Sequence, residues 1–201
     1  FSVDAHTKVV TREPGRRRLH GDPRRFADPV GHVRPAGRHP ELEVEYGCTA
    51  GSGFRCAVLG GDDIDELLAS PGTLDEPRDI SGHGTHVASL AAGNGLGGAG
   101  RQFVGMAPEA TLVAVRATRG VESTILDADA LLATRFIFER AAELGLPAVV
   151  NLSLGTDFGA HDGSSLLERG LAAFVGPDEP GRAIVVAAGN SGHLHVGRTD
   201  R

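Results

Sequence analysis

Between residues 111 and 188, apolar runs of strand length alternate with segments of helical periodicity, and this alternation restricts the fold more than any other feature. A strand, a helix and a second strand in succession form a crossover unit that is right-handed in nearly all proteins and places its strands parallel. Repeated units predict an α/β fold with three layers, in which a parallel sheet carries helices on both faces. The predicted segments are the strand Thr111–Arg116, the helix 127–144, the strand 148–154, the helix 165–176 and the strand 183–188.

Capping residues mark the ends of the two helices. Asp127 is an N-cap residue type at the start of the longer helix, and Gly145 follows its last turn. Ser165 and Glu168 have the spacing of a capping box, in which each side chain accepts a hydrogen bond from the other residue's backbone. The expected apolar face of the longer helix consists of Leu131, Leu132, Phe136, Phe138, Ala141, Ala142 and Leu144.

The composition excludes several classes of protein. A chain of 201 residues with 40% hydrophobic and 23% charged residues is globular and can bury a substantial core. Its formal net charge of −6 argues against nucleic acid as a general partner. No apolar run reaches the length of a membrane span, and residues 1–10 lack the apolar core of a signal peptide. We therefore expect neither a nucleic acid nor a membrane as a partner.

The first 47 residues differ in character from the rest, so we divide the chain into an irregular basic segment, 1–47, and a folded domain, 48–201. Within residues 11–40, eight arginines against three acidic residues give a charge of about +5, and no period of 2 or 3.6 is visible. An irregular arm is the favoured interpretation. A basic patch for an acidic partner and a reading-frame error in the sequence are the alternatives.

Two features just after this segment have more than one interpretation. Cys48 and Cys56 could close a small disulfide loop in an oxidising compartment, or they could be two free thiols. The acidic run Asp62-Asp-Ile-Asp-Glu66 is interpreted as the solvated start of a helix. A calcium site is the alternative, but the run lacks the glycine-punctuated loop that such a site uses.

The stretch 81–93, Ser-Gly-His-Gly-Thr-His-Val-Ala-Ser-Leu-Ala-Ala-Gly, places a histidine at the start of a helix made of small residues. Gly82 and Gly84 have no Cβ, so a substrate and a second catalytic side chain could approach His83 closely. A histidine that is only a polar helix-start residue is the alternative. The buried face that would fix the ring is expected to consist of Val87, Ala88, Leu90, Ala91 and Ala92.

This stretch closely resembles the histidine motif of the subtilisin-like serine proteases, the subtilases. Two further segments resemble subtilase motifs: Ala148-Val-Val-Asn-Leu-Ser-Leu-Gly155, and Ala183-Ile-Val-Val-Ala-Ala-Gly-Asn-Ser-Gly192. Val104-Gly-Met-Ala-Pro-Glu109 is similar to a subtilase turn as well. The resemblance implies a subtilisin-like fold, here incomplete, and serine endopeptidase activity through a Ser-His-Asp triad.

The resemblance also assigns roles to individual residues. His83 would be the general base, and Asn190 would donate its side-chain amide to the oxyanion. Ser153, Leu154 and Gly155 would pair through their backbone with an extended polypeptide substrate. A turn residue in the left-handed conformation is the alternative for Asn190.

Two members of the triad do not match the subtilase pattern. His39-Pro-Glu-Leu42 resembles the piece that subtilases carry shortly after their catalytic aspartate, but no Asp-Ser/Thr-Gly tripeptide precedes it. Asp28 is the nearest substitute, and Cys56-Ala-Val-Leu-Gly-Gly61 is the other candidate for that strand. No Gly-Thr-Ser-Met-Ala occurs, and only 11 residues follow Asn190. We expect the chain to be the N-terminal part of a catalytic domain whose serine lies outside it.

Two competing functions remain. A non-catalytic peptide-binding module would keep the substrate edge without a serine or a standard aspartate. A metal site would combine His83 and His86 with His161, His193 or His195, but no His-Glu-x-x-His or comparable spacing supports it. The triad chemistry requires no cofactor, although subtilases sometimes bind a structural calcium ion near the loop that begins at Gly93. The family also implies a secreted, bacterial-type protein.

Overall fold

The computed structural model describes residues 58–59, 79, 81–95, 103–118 and 125–192. The chain forms two compact units, residues 1–133 and residues 134–201. Asp28, Cys48, Cys56, the acidic run 62–66, His193 and His195 lie outside the described residues. The helices and strands are α1 (His83–Ala92), α2 (Asp127–Glu143), β1 (Ala148–Leu152), α3 (Leu166–Ala172) and β2 (Arg182–Val186).

The strands β1 and β2 pair in parallel, as the crossover pattern predicts. The register runs from Ala148 opposite Arg182 to Leu152 opposite Val186. One bond extends the pairing at each end: the Ala148 N–H donates to the Gly181 carbonyl at 2.8 Å, and the Ala187 N–H donates to the Leu152 carbonyl at 3.1 Å. Both strands end two residues before their predicted ends, so residues 153–155 follow β1 rather than belonging to it.

The core of the second unit lies on one face of this strand pair. Val150 and Leu152 are buried together with Phe138 of α2. Leu171 of α3 and Ile184 of β2 pack against them. Within the described residues both helices therefore cover the same sheet face, and the helices predicted for the opposite face are not among those residues. Val149 and Val185 are 66% and 53% exposed there.

The helix α2 begins at Asp127, which is therefore its first helical residue and not the predicted N-cap, and it ends one residue before the predicted end. Gly145 has φ +64°, and its N–H donates to the Ala142 carbonyl. The expected apolar face is wrong at Leu132, which is 39% exposed, and at Ala142, which is also exposed. Position around the helix does not account for the exposure of Leu132, because the buried Phe136 lies one turn away, at about 40° around the helix.

Two expectations for the first unit are wrong. No residue of α1 is buried, and Leu90 is 58% exposed, so the expected apolar face does not fix this helix. Residues 111–117 are half-buried but form no strand, since none of them pairs with another described residue in a ladder. A single antiparallel bridge joins Thr118 to Ile125 instead.

Candidate active site

The helix α1 begins at His83, the residue proposed as the general base. Gly82 is its N-cap residue and has φ +73°, a conformation that glycine adopts without strain. The Gly82 carbonyl accepts the first helical bond, from the His86 N–H at 3.0 Å. His83 is half-buried, whereas His86 is exposed. The two histidines of the motif therefore differ in their surroundings.

Asp79 supplies the cap that the glycine lacks. Its carboxylate accepts hydrogen bonds from the Thr85 N–H at 2.7 Å, the Thr85 hydroxyl at 2.8 Å and the Gly82 N–H at 2.9 Å. The Ser81 hydroxyl donates a fourth, longer bond at 3.3 Å. These bonds satisfy backbone donors that a helix start leaves without an intrahelical acceptor.

The environment of Asp79 lowers the pKa of its carboxyl below 3.8, the value expected without these neighbours. Partial burial acts in the opposite direction and raises the pKa. The bonds from Thr85, Gly82 and Ser81 favour the charged form and outweigh that effect. Sequence reasoning missed this residue, although an aspartate shortly before a predicted helix is a capping signal.

Backbone groups from a distant turn hold the other end of α1. The Met106 and Ala107 N–H groups donate to the Leu90 and Ala91 carbonyls at 3.0 and 2.8 Å. The Gly105 N–H donates to the Gly93 carbonyl at 2.7 Å. The segment 104–109, which resembles a subtilase turn, thus binds carbonyls that lack intrahelical partners.

Gly105 lies too close to α1 for a larger residue. A Cβ at this position would stand 2.5 Å from the Gly93 nitrogen and 2.8 Å from the Ala92 nitrogen. Both atoms belong to the backbone, so no side-chain rotation would relieve the contact. The helix that carries His83 is therefore held at its start by a carboxylate and at its end by a close backbone contact.

In the second unit, the proposed substrate edge follows β1 directly. Ser153 and Leu154 are half-buried and Gly155 is exposed. The Asn151 side-chain amide donates to the Ser153 hydroxyl at 2.8 Å, and Leu154 packs against the core cluster. A Cβ at Gly155 would meet no atom within 4 Å, so this side of the segment is open.

Asn190 lies in the loop after β2, exposed and next to Gly189. Gly189 has φ +89°, whereas the only non-glycine residue with positive φ in the described part of the chain is His161. The left-handed position of this turn therefore belongs to the glycine. Asn190 itself is not in the left-handed conformation, so the alternative interpretation of Asn190 as a left-handed turn residue is wrong.

A side-chain hydrogen bond connects the loops that follow the two strands. The Ser191 hydroxyl donates to Asp157 Oδ2 at 2.6 Å, across 34 positions of sequence. The sequence motifs assign no site role to Ser191 or Asp157. No local pattern could have paired them, since the contact arises from the parallel register of β1 and β2.

The predicted site residues thus fall into three groups. Ser153, Leu154, Gly155 and Asn190 all follow the carboxyl ends of paired strands in the second unit. His83 belongs to the first unit, and Asp28 is outside the described residues. Within the described residues, no group of three or more His, Cys, Asp or Glu side chains is placed to hold a metal ion.

Comparison with known proteins gives the family. The family model described as "Subtilase family" matches residues 38–200. The chain belongs to the subtilase family. The PII-type proteinase of Lactococcus lactis subsp. cremoris is 33% identical to this subtilase over 172 residues, which are 85% of the chain but 8% of that protein.

Two further comparisons also match proteases. The thermophilic serine proteinase of Bacillus sp. strain AK1 is 38% identical over 119 residues, which are 58% of this subtilase and 25% of that proteinase. The solved structure of the Clostridium perfringens CspB protease superposes with a TM-score of 0.56 at 33% identity, covering 65% of this chain and 27% of the other. The chain has the α/β fold of this family and spans only a small part of each relative.

Proposed function

We propose that this chain contributes the histidine and the oxyanion-hole asparagine to a serine endopeptidase whose serine lies outside these 201 residues. The family match carries the proposal, because residues 38–200 include both the His83 motif and the Asn190 turn. Residues 48–201 would be part of the catalytic domain, and residues 1–47 an irregular basic segment preceding it.

In this mechanism His83 accepts the proton of the attacking serine hydroxyl and returns it to the leaving amine. Asp28 would orient the imidazole. Asn190 donates its side-chain amide to the oxyanion of the tetrahedral intermediate. The backbone of residues 153–155 pairs with the extended substrate, so that much of the affinity is independent of substrate side chains.

The described geometry supports these roles. The helix start at His83 is capped by Asp79, which restricts the position of the base. Asn190 is exposed, and Gly189 occupies the left-handed position of the turn. Gly155 leaves open space beside the substrate edge.

A second candidate function is a peptide-binding module without catalysis. One observation favours it: the 201 residues contain neither Asp-Ser/Thr-Gly nor Gly-Thr-Ser-Met-Ala. Such a module would keep the substrate edge at residues 153–155 and bind polypeptides without cleaving them. The reading frame that encodes this chain separates the two, because only the protease must encode a nucleophilic serine.

The decisive experiment uses the complete polypeptide of that reading frame. We expect labelling by a serine-directed fluorophosphonate and hydrolysis of a peptide substrate. His83→Ala should abolish turnover, and His86→Ala is the matched control, which should mainly reduce stability. A complete polypeptide that is neither labelled nor active would favour the binding module. Equal kinetic losses from the two histidine variants would favour a paired metal role instead.

The proposal extends to cofactors and location. The chemistry uses protein groups alone, and a calcium ion would be structural, near the loop that begins at Gly93. The substrate would be a polypeptide, and secretion follows from the family resemblance. No helix in the described part of the chain is long and apolar enough to span a bilayer.

A further inference from the structure

The hydrogen bond between Ser191 and Asp157 joins the two loops on which the proposed site depends. The donor–acceptor distance is 2.6 Å and the acceptor is a carboxylate, which makes it a short, charge-assisted bond. Ser191 directly follows Asn190, and Asp157 stands two positions after Gly155. The donor of the bond is therefore one residue from Asn190, and the acceptor is two residues from the substrate edge, residues 153–155.

Little else couples these loops. The backbone pairing of β1 and β2 ends with the Ala187 N–H bonded to the Leu152 carbonyl. Beyond that bond, no backbone hydrogen bond joins residues 153–158 to residues 188–192 in the described structure. Gly189 lies between the last paired residue and Asn190, and a Cβ there would meet nothing within 4 Å. The segment that leads to Asn190 thus contains a glycine without close neighbours, and a glycine backbone has more accessible conformations than that of any other residue.

Local hydrogen bonds shape the acceptor side. The Phe158 N–H donates to the Thr156 hydroxyl at 3.0 Å, which forms a tight turn around Asp157. On the same strand end, the Asn151 amide donates to the Ser153 hydroxyl at 2.8 Å. The acceptor carboxylate is therefore attached to an internally bonded segment, while the donor hydroxyl is attached to the segment that carries Asn190.

We propose that Ser191 and Asp157 are positioning residues that hold the Asn190 amide at a fixed distance from the substrate edge, residues 153–155. This inference rests on the proposed function. Without the bond, the loop can turn about Gly189 and the amide spends less time where the oxyanion forms. The loss appears in kcat more than in KM, because the oxyanion contact is made mainly in the transition state.

The test uses the complete enzyme with kinetics normalised to titrated active sites. Ser191→Ala and Asp157→Ala are each expected to lower kcat roughly tenfold, less than the 10²–10³ typical for deleting an oxyanion donor. KM should stay within about twofold, since substrate binding does not use the oxyanion contact. Ser191→Thr keeps a hydroxyl and Asp157→Asn keeps an acceptor oxygen, so both should retain most of the wild-type kcat.

The double variant and a control complete the design. Because the two residues act through one bond, Ser191→Ala combined with Asp157→Ala should be no slower than either single variant. Asp162→Ala is the matched control: that exposed carboxylate lies in the same connection, five positions after Asp157, but its hydrogen bond is local, from the Ser164 N–H at 2.9 Å. It should leave kcat unchanged.

The possible failures can be told apart. Wild-type kcat in both alanine variants, or losses that multiply in the double variant, would overturn the positioning role while the enzyme itself stays active. A lowered melting temperature with unchanged kcat per titrated site would show that the bond is structural only. A wild-type enzyme that fluorophosphonate does not label would overturn the proposed function, and the positioning role with it.

Discussion

At the scale of single residues, the ionisation of Asp79 controls how firmly the helix start at His83 is held. Its carboxylate accepts four hydrogen bonds, and they lower its pKa despite the opposing effect of partial burial. A group whose pKa is lower in the folded state stabilises the fold at pH values above its unfolded-state pKa. That stabilisation is lost as the pH falls through the folded-state pKa.

The first prediction follows from this linkage. At pH 7, Asp79→Ala should lower the free energy of unfolding by about 1 kcal/mol, as for other helix caps. The difference from wild type should shrink as the pH falls below 3.8, the reference pKa of the carboxyl. Urea unfolding at a series of pH values measures both effects. Exposed Asp178→Ala is the control, and a difference for Asp79→Ala that does not depend on pH would contradict the prediction.

The second prediction concerns Asn190 in the complete enzyme. Asn190→Ala should lower kcat by roughly 10²–10³ with little change in KM. The melting temperature should barely change, because the residue is exposed and not left-handed. Gly189→Ala should instead lower the melting temperature, since φ +89° strains any residue with a Cβ. An unchanged kcat per titrated site in Asn190→Ala would remove the oxyanion role.

At the scale of helices and strands, local sequence signals located the starts of α2 and α3 and the end of α2, whereas α3 ends at Ala172, four residues before its predicted end. The capping box is present in full: Ser165 Oγ accepts the Glu168 N–H at 3.2 Å, and Glu168 accepts the Ser165 N–H at 3.0 Å. The helix α2 also ends within one residue of the predicted position, before Gly145. These signals involve neighbours in sequence, so they can be recognised without knowledge of the fold.

Local signals failed where distant segments decide the outcome. The apolar residues of α1 suggested a buried face, but the helix is held by Asp79 and by backbone groups of residues 105–107. Residues 111–116 are apolar enough for a buried strand, yet among the described residues they have no ladder partner. Likewise, no spacing rule links Asp157 to Ser191. Contacts of this kind between distant segments can be identified only from the folded structure.

The third prediction tests how the end of α1 is held. In Gly105→Ala the new Cβ would lie 2.5 Å from the Gly93 nitrogen, so the turn must move away from the helix. Such overpacking costs about 1–3 kcal/mol. Gly192→Ala is the control, because a Cβ there meets nothing within 4 Å. Thermal melts of both variants give the answer, and equal melting temperatures would exclude the close contact.

At the scale of the whole molecule, the described strands expose apolar side chains on the face that neither α2 nor α3 covers. Val149 is 66% exposed and Val185 53% exposed. Parallel sheets usually have both faces covered.

The family match spans residues 38–200, while the chain corresponds to 8% of one relative and 25% of another. The sequence motifs thus identified the family, although the family's Asp-Ser/Thr-Gly and Gly-Thr-Ser-Met-Ala motifs do not occur in these 201 residues.

The fourth prediction is that the 201-residue chain alone has no peptidase activity, although it contains the proposed base and oxyanion donor. Acyl transfer begins with attack by a serine hydroxyl, and a base without that nucleophile forms no acyl-enzyme. The serines near the proposed site have other contacts: Ser153 accepts the Asn151 amide and Ser191 donates to Asp157. We therefore expect no labelling of the purified chain by a serine-directed fluorophosphonate, while the complete polypeptide of the same reading frame is labelled under identical conditions. Stoichiometric labelling of the 201-residue chain would mean that one of its own serines is the nucleophile. Ser153→Ala and Ser191→Ala would then identify which serine reacts.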